Sequence, residues 1–309
     1  MKIAMIMPYF GKFPIWFELY LYGCSKNVNF DFYFITDCDV PSKIYSNTIF
    51  IRTSFCEYCE LISKKLSISF SPRSPYKLCD VRPFYAVIHS DIIANYDYWG
   101  YGDIDVLYGD LNIILRKSRK YDVFSAHADR LSGHFTVVRV GSFFSAACYE
   151  INNWRSRLED EYVYGLDEHD FTEIVYPLQK FIWKMYRHIG KYLGFKWYTF
   201  FAIPNTFTNL FSRHSFVEYF TSVLPKDGEI WKYDIRKSRI LNPRGRELPY
   251  LHFLFFKKTQ FYKAEHYWRE NFWEVPTLDY ELSDGEILFS NTRVWYENNK
   301  KRSNNCVVK

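Results

Sequence analysis

The sequence predicts an α/β fold with a mixed, mostly parallel sheet and flanking helices, and three observations lead there. Lys2 to Met7 is a continuous apolar run, as expected of a strand covered on both faces. Phe13 to Cys24 follows with helical apolar spacing through Trp16, Leu19, Tyr20 and Gly23. Asn29 to Ile35 and Thr48 to Arg52 then read as further strands, which gives a strand–helix–strand order. The chain of 309 residues, 48% of them hydrophobic, can bury a substantial core and fits one large domain or a domain with an appended lobe.

The first strand ends at Pro8-Tyr9-Phe10-Gly11, and the second closes at Thr36-Asp37. Neither a G-x-G-x-x-G nor a G-x-x-x-x-G-K-[ST] occurs, which disfavours a dinucleotide-dependent dehydrogenase and excludes a P-loop. A nucleotide can still bind beyond the carboxyl ends of the strands of an open α/β sheet. Tyr9 would then stack on a base and Asp37 would accept from its ring N–H. The plain alternatives are a packed loop aromatic and a turn or cap acid.

A Pro/Ser loop, Ser71 to Pro75, precedes Tyr76-Lys77-Leu78-Cys79-Asp80-Val81-Arg82-Pro83 and an apolar helix over Phe84 to Ile93. Lys77 and Asp80 have the spacing of an i,i+3 pair. Then comes Trp99-Gly100-Tyr101-Gly102-Asp103-Ile104-Asp105-Val106. At the end of a buried strand, side chains two residues apart share a face, so Asp103 and Asp105 project together while Ile104 returns to the core. Two convergent carboxylates suit a hard divalent cation, Mg2+ or Mn2+. A pair of solvated turn acids beside glycines has the same spacing.

Leu111 to Ser118 reads as a short helix with Asp110 as N-cap, and Tyr121 to Ala126 and Phe135 to Val140 as strands. The polar loop between those strands, His127 to His134, suits sugar and acceptor contacts. Ser142 to Arg157 reads as a helix. Gly165-Leu166-Asp167-Glu168-His169-Asp170 places acids before another helix, where they also complement its dipole. From Gln179 to Phe201 basic residues alternate with Trp, Tyr, Phe and Ile, as in a helix lying on an anionic membrane or presenting a lipid-linked acceptor. An amphipathic helix with an aromatic core stripe has the same pattern. Glu229 to Arg239 is strand-like. Pro249 to Lys258 is an apolar run with His252 inside it and Lys257 and Lys258 at its end, and the tail from Asn298 is polar and basic.

Gly102-Asp103-Ile104-Asp105, taken with the late His252, resembles the Asp-X-Asp motif of GT-A glycosyltransferases, in particular the GT8-like bacterial lipopolysaccharide and capsule transferases. The resemblance covers about residues 1–258 in the order of its parts. It implies a GT-A, Rossmann-like sheet in a single catalytic domain over 1–309, with a helical, aromatic-basic insertion over 175–225. It further implies Mn2+ or Mg2+ held by Asp103, Asp105 and His252, and a nucleotide-sugar donor, UDP-linked, contacted by Lys77, Asp80, Arg82 and the Ser132-Gly133 pair. Lys257 or Lys258 would meet the diphosphate, although the family's Gly between His and Lys is replaced here by Phe253 to Phe256. Asp167 or Glu168 would orient the sugar or serve as base. The Ser132-Gly133 loop tilts the expectation toward retention, with a surface glycan or lipid-linked glycan as acceptor.

The net charge of +5 is compatible with anionic substrates or an anionic membrane surface and does not call for nucleic acid. Seven cysteines without framework spacing, including a lone Cys56-Glu57-Tyr58-Cys59, read as reduced thiols. The apolar N-terminus reads as a strand rather than a signal peptide, and no run reaches the length of a membrane span. A cytoplasmic protein, peripheral at the inner face of the membrane, is expected. Two other classes use the same features. A metal-dependent phosphohydrolase or nucleotidyltransferase would use the acids, and a non-enzymatic glycan- or membrane-binding protein would use the aromatic surface.

Overall fold

The computed structural model describes residues 1–115, 121–177, 213–222, 229–252 and 272–298. It opens with β1 (Ile3–Pro8), α1 (Phe17–Ser25), β2 (Phe30–Thr36), β3 (Thr48–Arg52) and α2 (Phe55–Leu66). β4 (Tyr98–Gly102) and the short β5 (Val106–Tyr108) follow. β6 (Val123–Ser125), β7 (Phe135–Arg139) and β8 (His214–Phe216) complete a seven-stranded sheet in the order β3-β2-β1-β4-β7-β6-β8. β1 to β4 run parallel; β7 is antiparallel to both β4 and β6, and β8 is parallel to β6. The expected mixed, mostly parallel α/β sheet with flanking helices is therefore present.

The apolar run of β1 is explained by burial on both faces. Ala4 and Ile6 pack with Tyr58, Ile62 and Leu66 of α2 on one side. Ile3, Met5 and Met7 pack with Phe17, Tyr20 and Leu21 of α1 on the other. Each buried Ile, Leu, Met or Phe among them stabilises the fold by about 1.5–3 kcal/mol relative to its exposed state.

A second layer has no counterpart in the sequence reading beyond the strand-like stretch from Glu229. It comprises β9 (Trp231–Asp234), β10 (Arg239–Leu241) and β11 (Glu247–Leu248), then, after the separate β12 (Tyr250–His252), β13 (Trp273–Glu274), β14 (Gly285–Phe289) and β15 (Val294–Asn298). The six strands order as β11-β10-β9-β14-β15-β13, antiparallel except for β13 beside β15. Their inner face, with Trp231, Tyr233, Ile240 and Ile287, packs on Leu19 and Tyr22 of α1. α1 is thus buried between two sheets, which is why its apolar residues wrap around it instead of forming one stripe.

Two expected helices break up. Phe84 to Ile93 becomes a 3-10 segment over Pro75–Phe84 and two single turns, Tyr85–Ile88 and Ser90–Ile93, separated by His89 at φ −109° and ψ 31°. Ser142 to Arg157 is cut by Asn153 in the left-handed region, φ 54°, leaving an α-helix only over Trp154–Glu159. The segment 179–201 lies outside the described residues. Of the 175–225 insertion, the described 213–222 contributes β8, a strand at the sheet edge and not a helix. Among the described residues no helix is long and apolar enough to cross a membrane.

Candidate metal centre

β4 carries the chain across the middle of the sheet and ends at Gly102. A Cβ there would lie 2.8 Å from the Tyr108 hydroxyl and 3.0 Å from the His134 carbonyl, so only glycine lets the strand turn out at this point. Asp103 and Asp105 occupy the turn between β4 and β5, past the strand end where the spacing argument put them. Ile104 returns to the core as expected, 8% exposed. The turn is pinned by the Trp16 indole N–H, which donates to the Ile104 carbonyl at 2.8 Å.

β5 then pairs antiparallel with β12, in a register that sets His252 opposite Val106. This pairing delivers an imidazole from late in the chain to a position beside the acids. One donor atom from each of Asp103, Asp105 and His252 lies within 4.8 Å of the others, and His252 Nε2 is 3.7 Å from Asp105 Oδ2. Neighbouring donors on one cation with bonds of about 2.1 Å stand about 3 Å apart, so the three side chains would draw closer together to hold one ion. Two carboxylates and an imidazole suit Mn2+, and Mg2+ through the carboxylates. Asp105 and His252 are buried, whereas the Asp103 side chain is 29% exposed and forms the open side.

Arg82 links this trio to a second acidic pair. Its guanidinium donates to Asp103 and, at 2.9 Å, to Asp167 Oδ2. Burial works against the Arg82 charge, but Asp103, the Cys79 thiol and Asp167 around it hold its pKa well above the usual arginine value. Burial pushes the Asp167 carboxyl upward, against the pull of Arg82, and neighbouring Glu168 adds to the rise. Glu168 accepts from the Gly133 N–H at 2.9 Å and lies 3.5 Å from Arg130. A Cβ on Gly133 would stand 2.6 Å from the Arg82 guanidinium, so the Ser132-Gly133 pair owes its glycine to this close approach. Ser132 is fully buried and binds backbone, donating to Phe135 and accepting from its N–H.

The structure therefore brings Arg82, Asp103, Asp105, Gly133, Asp167, Glu168 and His252 together. Lys77 and Asp80 form a buried ion pair at 3.0 Å instead of joining that group. Asp80 also accepts from the backbone N–H groups of Tyr164 and Leu166, so the pair braces the loop that presents Asp167 and Glu168. Tyr9 and Asp37 sit at the carboxyl ends of β1 and β2. Asp37 accepts from the Gly11 N–H at 2.7 Å, and Tyr9 donates to the Lys12 carbonyl and stacks on Phe13. Lys257 and Lys258 lie outside the described residues.

The sequence reading took His134 only as the end of a polar loop suited to sugar and acceptor contacts and gave it no part in the metal centre. Its ring stacks on His252 at 4.2 Å, and its Nε2 shares a 2.6 Å hydrogen bond with the Tyr250 hydroxyl. Burial, then the neighbouring His252 and His127, depress its pKa well below the usual value, so the ring is neutral. Trp16 was read only as an apolar helix position, and Arg130 only as part of that loop. No local motif marks any of the three, because each acts on a residue distant in the chain.

Residues 5–278 match the model of a family of unknown function, DUF6625, and the chain belongs to that family. No curated protein matches it. Among solved structures, the chain is similar to the galactosyltransferase LgtC in complex with donor and acceptor sugar analogues. The identity is 14%, over 53% of this chain and 71% of that one, with a TM-score of 0.31. It is also similar to the glycosyltransferase GlyE of Streptococcus pneumoniae TIGR4, 11% identical over 58% of this chain and 43% of that one, with a TM-score of 0.32. At these scores neither likeness bears on activity, and what the centre can do is read from its own residues.

Proposed function

Starting from membership in a family without an assigned function, we propose that the protein is a metal-dependent glycosyltransferase. It moves a sugar from a nucleotide-sugar, UDP-linked donor to a hydroxyl of a bacterial surface-glycan intermediate. The observation that carries this reading is the convergence of Asp103, Asp105 and His252 within 4.8 Å beside the partly buried Arg82. When bound, a divalent cation supplies charge neutralisation for a departing diphosphate. Asp103, on the open side, would hold the ion while also accepting from Arg82, whose guanidinium offers N–H donors to phosphate or sugar oxygens. Glu168, with a third of its side chain exposed, reaches the acceptor side, whereas Asp167 is turned inward onto Arg82. Glu168 thus orients a sugar hydroxyl, and Asp167 fixes the arginine. With the inward acid engaged in this way, the retaining course expected from the sequence is the one proposed.

The test is a panel of nucleotide sugars scored by thermal shift with and without Mn2+. A UDP-sugar should raise Tm only when the metal is present, and Asp105→Asn should abolish that shift while leaving the circular dichroism spectrum unchanged. The same variant should lose transfer by about 100-fold or more. Undiminished transfer in excess chelator would refute the assignment. Hydrolysis of the nucleotide with no acceptor consumed would point to a phosphohydrolase instead.

A further inference from the structure

Beyond the metal centre, the three histidines form a continuous row. His252 stacks on His134, and His134 meets the edge of His127 at 5.0 Å and 82°. His127 is the outermost, with its side chain 22% exposed, and its Nδ1 lies 3.1 Å from Glu218 Oε2. The other Glu218 oxygen accepts from the Phe220 N–H at 3.0 Å. Both carboxylate oxygens are therefore engaged, and the Glu218 side chain is fixed. Burial raises the pKa of this acid, but His127, the Phe220 N–H and Arg130 together outweigh that and lower it overall.

Phe220 itself is unusual. It is 56% exposed, and its backbone is in the left-handed region at φ 52°, which bulky side chains avoid. Immediately afterwards, Thr221 accepts from the His252 N–H at 3.0 Å, and Ser222 bridges to His252. The same short segment therefore runs alongside the metal-donor strand, presents an aromatic ring to solvent and clamps an imidazole. Strain of this kind persists where surrounding contacts over-determine it, and such positions cluster at ligand sites.

We propose that His127, Glu218 and Phe220 form the acceptor subsite, and that the acceptor is a saccharide. This rests on the glycosyltransferase reading above. A carboxylate on Nδ1 holds a proton on that nitrogen and fixes the ring, which leaves Nε2 to hydrogen-bond a sugar hydroxyl. The Phe220 ring offers a flat apolar face to the C–H side of a pyranose. The row of imidazoles places that hydroxyl next to the metal donors. His127 is a positioning residue, and no bond is made or broken at it.

The experiment is saturation-transfer NMR on the full chain, with maltose, cellobiose and lactose as probes, alongside the Mn2+–UDP thermal shift. At least one disaccharide should receive saturation from the protein. His127→Phe, which keeps the edge contact to His134, and Phe220→Gly, which accepts the left-handed backbone, should each weaken that binding by about tenfold or more. Neither should change the Mn2+–UDP shift. Wild-type disaccharide binding in both variants, or no saturation of any of the three sugars, would overturn the subsite. Saccharide binding that depends on these residues without any Mn2+–UDP shift would uphold the subsite and overturn the nucleotide-sugar reading.

Discussion

His89 lies between two single helical turns, 4% exposed, with its Nε2 2.8 Å from the Tyr58 hydroxyl. Burial, then the Lys65 charge, depress its pKa to about 3. The folded value is thus below the unfolded one of about 6.5, so the stability it contributes is complete above pH 6.5 and is lost as pH falls toward 3. Between pH 8 and pH 5 the protein should lose about 2 kcal/mol through this group alone. Urea unfolding at the two pH values should show a correspondingly smaller loss for His89→Gln. At the centre itself, Asp103 and Asp105 were legible because their spacing is local. His134 was not, since its importance arises from stacking on a ring brought in by β12. The i,i+3 spacing of Lys77 and Asp80 was readable too, but their burial depends on the 164–166 loop folding over them.

At the scale of elements, α2 has a strong local start signal. Ser54 accepts from the Glu57 N–H, and Glu57 accepts in return from the Ser54 N–H at 2.7 Å, a capping box that also lowers the Glu57 pKa. Ser54→Ala should cost about 1 kcal/mol, read as a drop in the chemical denaturation midpoint with an unchanged slope. Strands of five to seven residues with sustained apolar patterns, such as β1, β2 and β3, were readable from the sequence. β11, β12 and β13 span only two or three residues, too few for a period to show, and the partner of β12 lies far away in the chain. The breaks at His89 and Asn153 escaped for a related reason. Each depends on a single residue's backbone angles inside an otherwise helical pattern.

For the molecule as a whole, α1 belongs to both layers at once. The Tyr22 hydroxyl donates to the Ile235 carbonyl at 3.1 Å in the buried seam between the helix and the second sheet. Tyr22→Phe removes this bond, leaving the carbonyl only the Ser238 N–H at 3.3 Å, and should cost about 1 kcal/mol. Because the helix is shared, scanning calorimetry should record one transition moved to lower temperature. Two separated peaks would show that the sheets melt independently and that the single-domain reading is wrong. The α/β class was legible because β1 and β2 announce burial on both faces, whereas the second sheet depends on contacts that no local stretch encodes. The β5–β12 ribbon has one more consequence. A nascent polypeptide halted after β8 would already carry every strand of the central sheet, yet it would lack the imidazole that completes the donor set. Truncated translation products would therefore present an incomplete cluster, and the third donor would arrive only once the ribosome had passed His252.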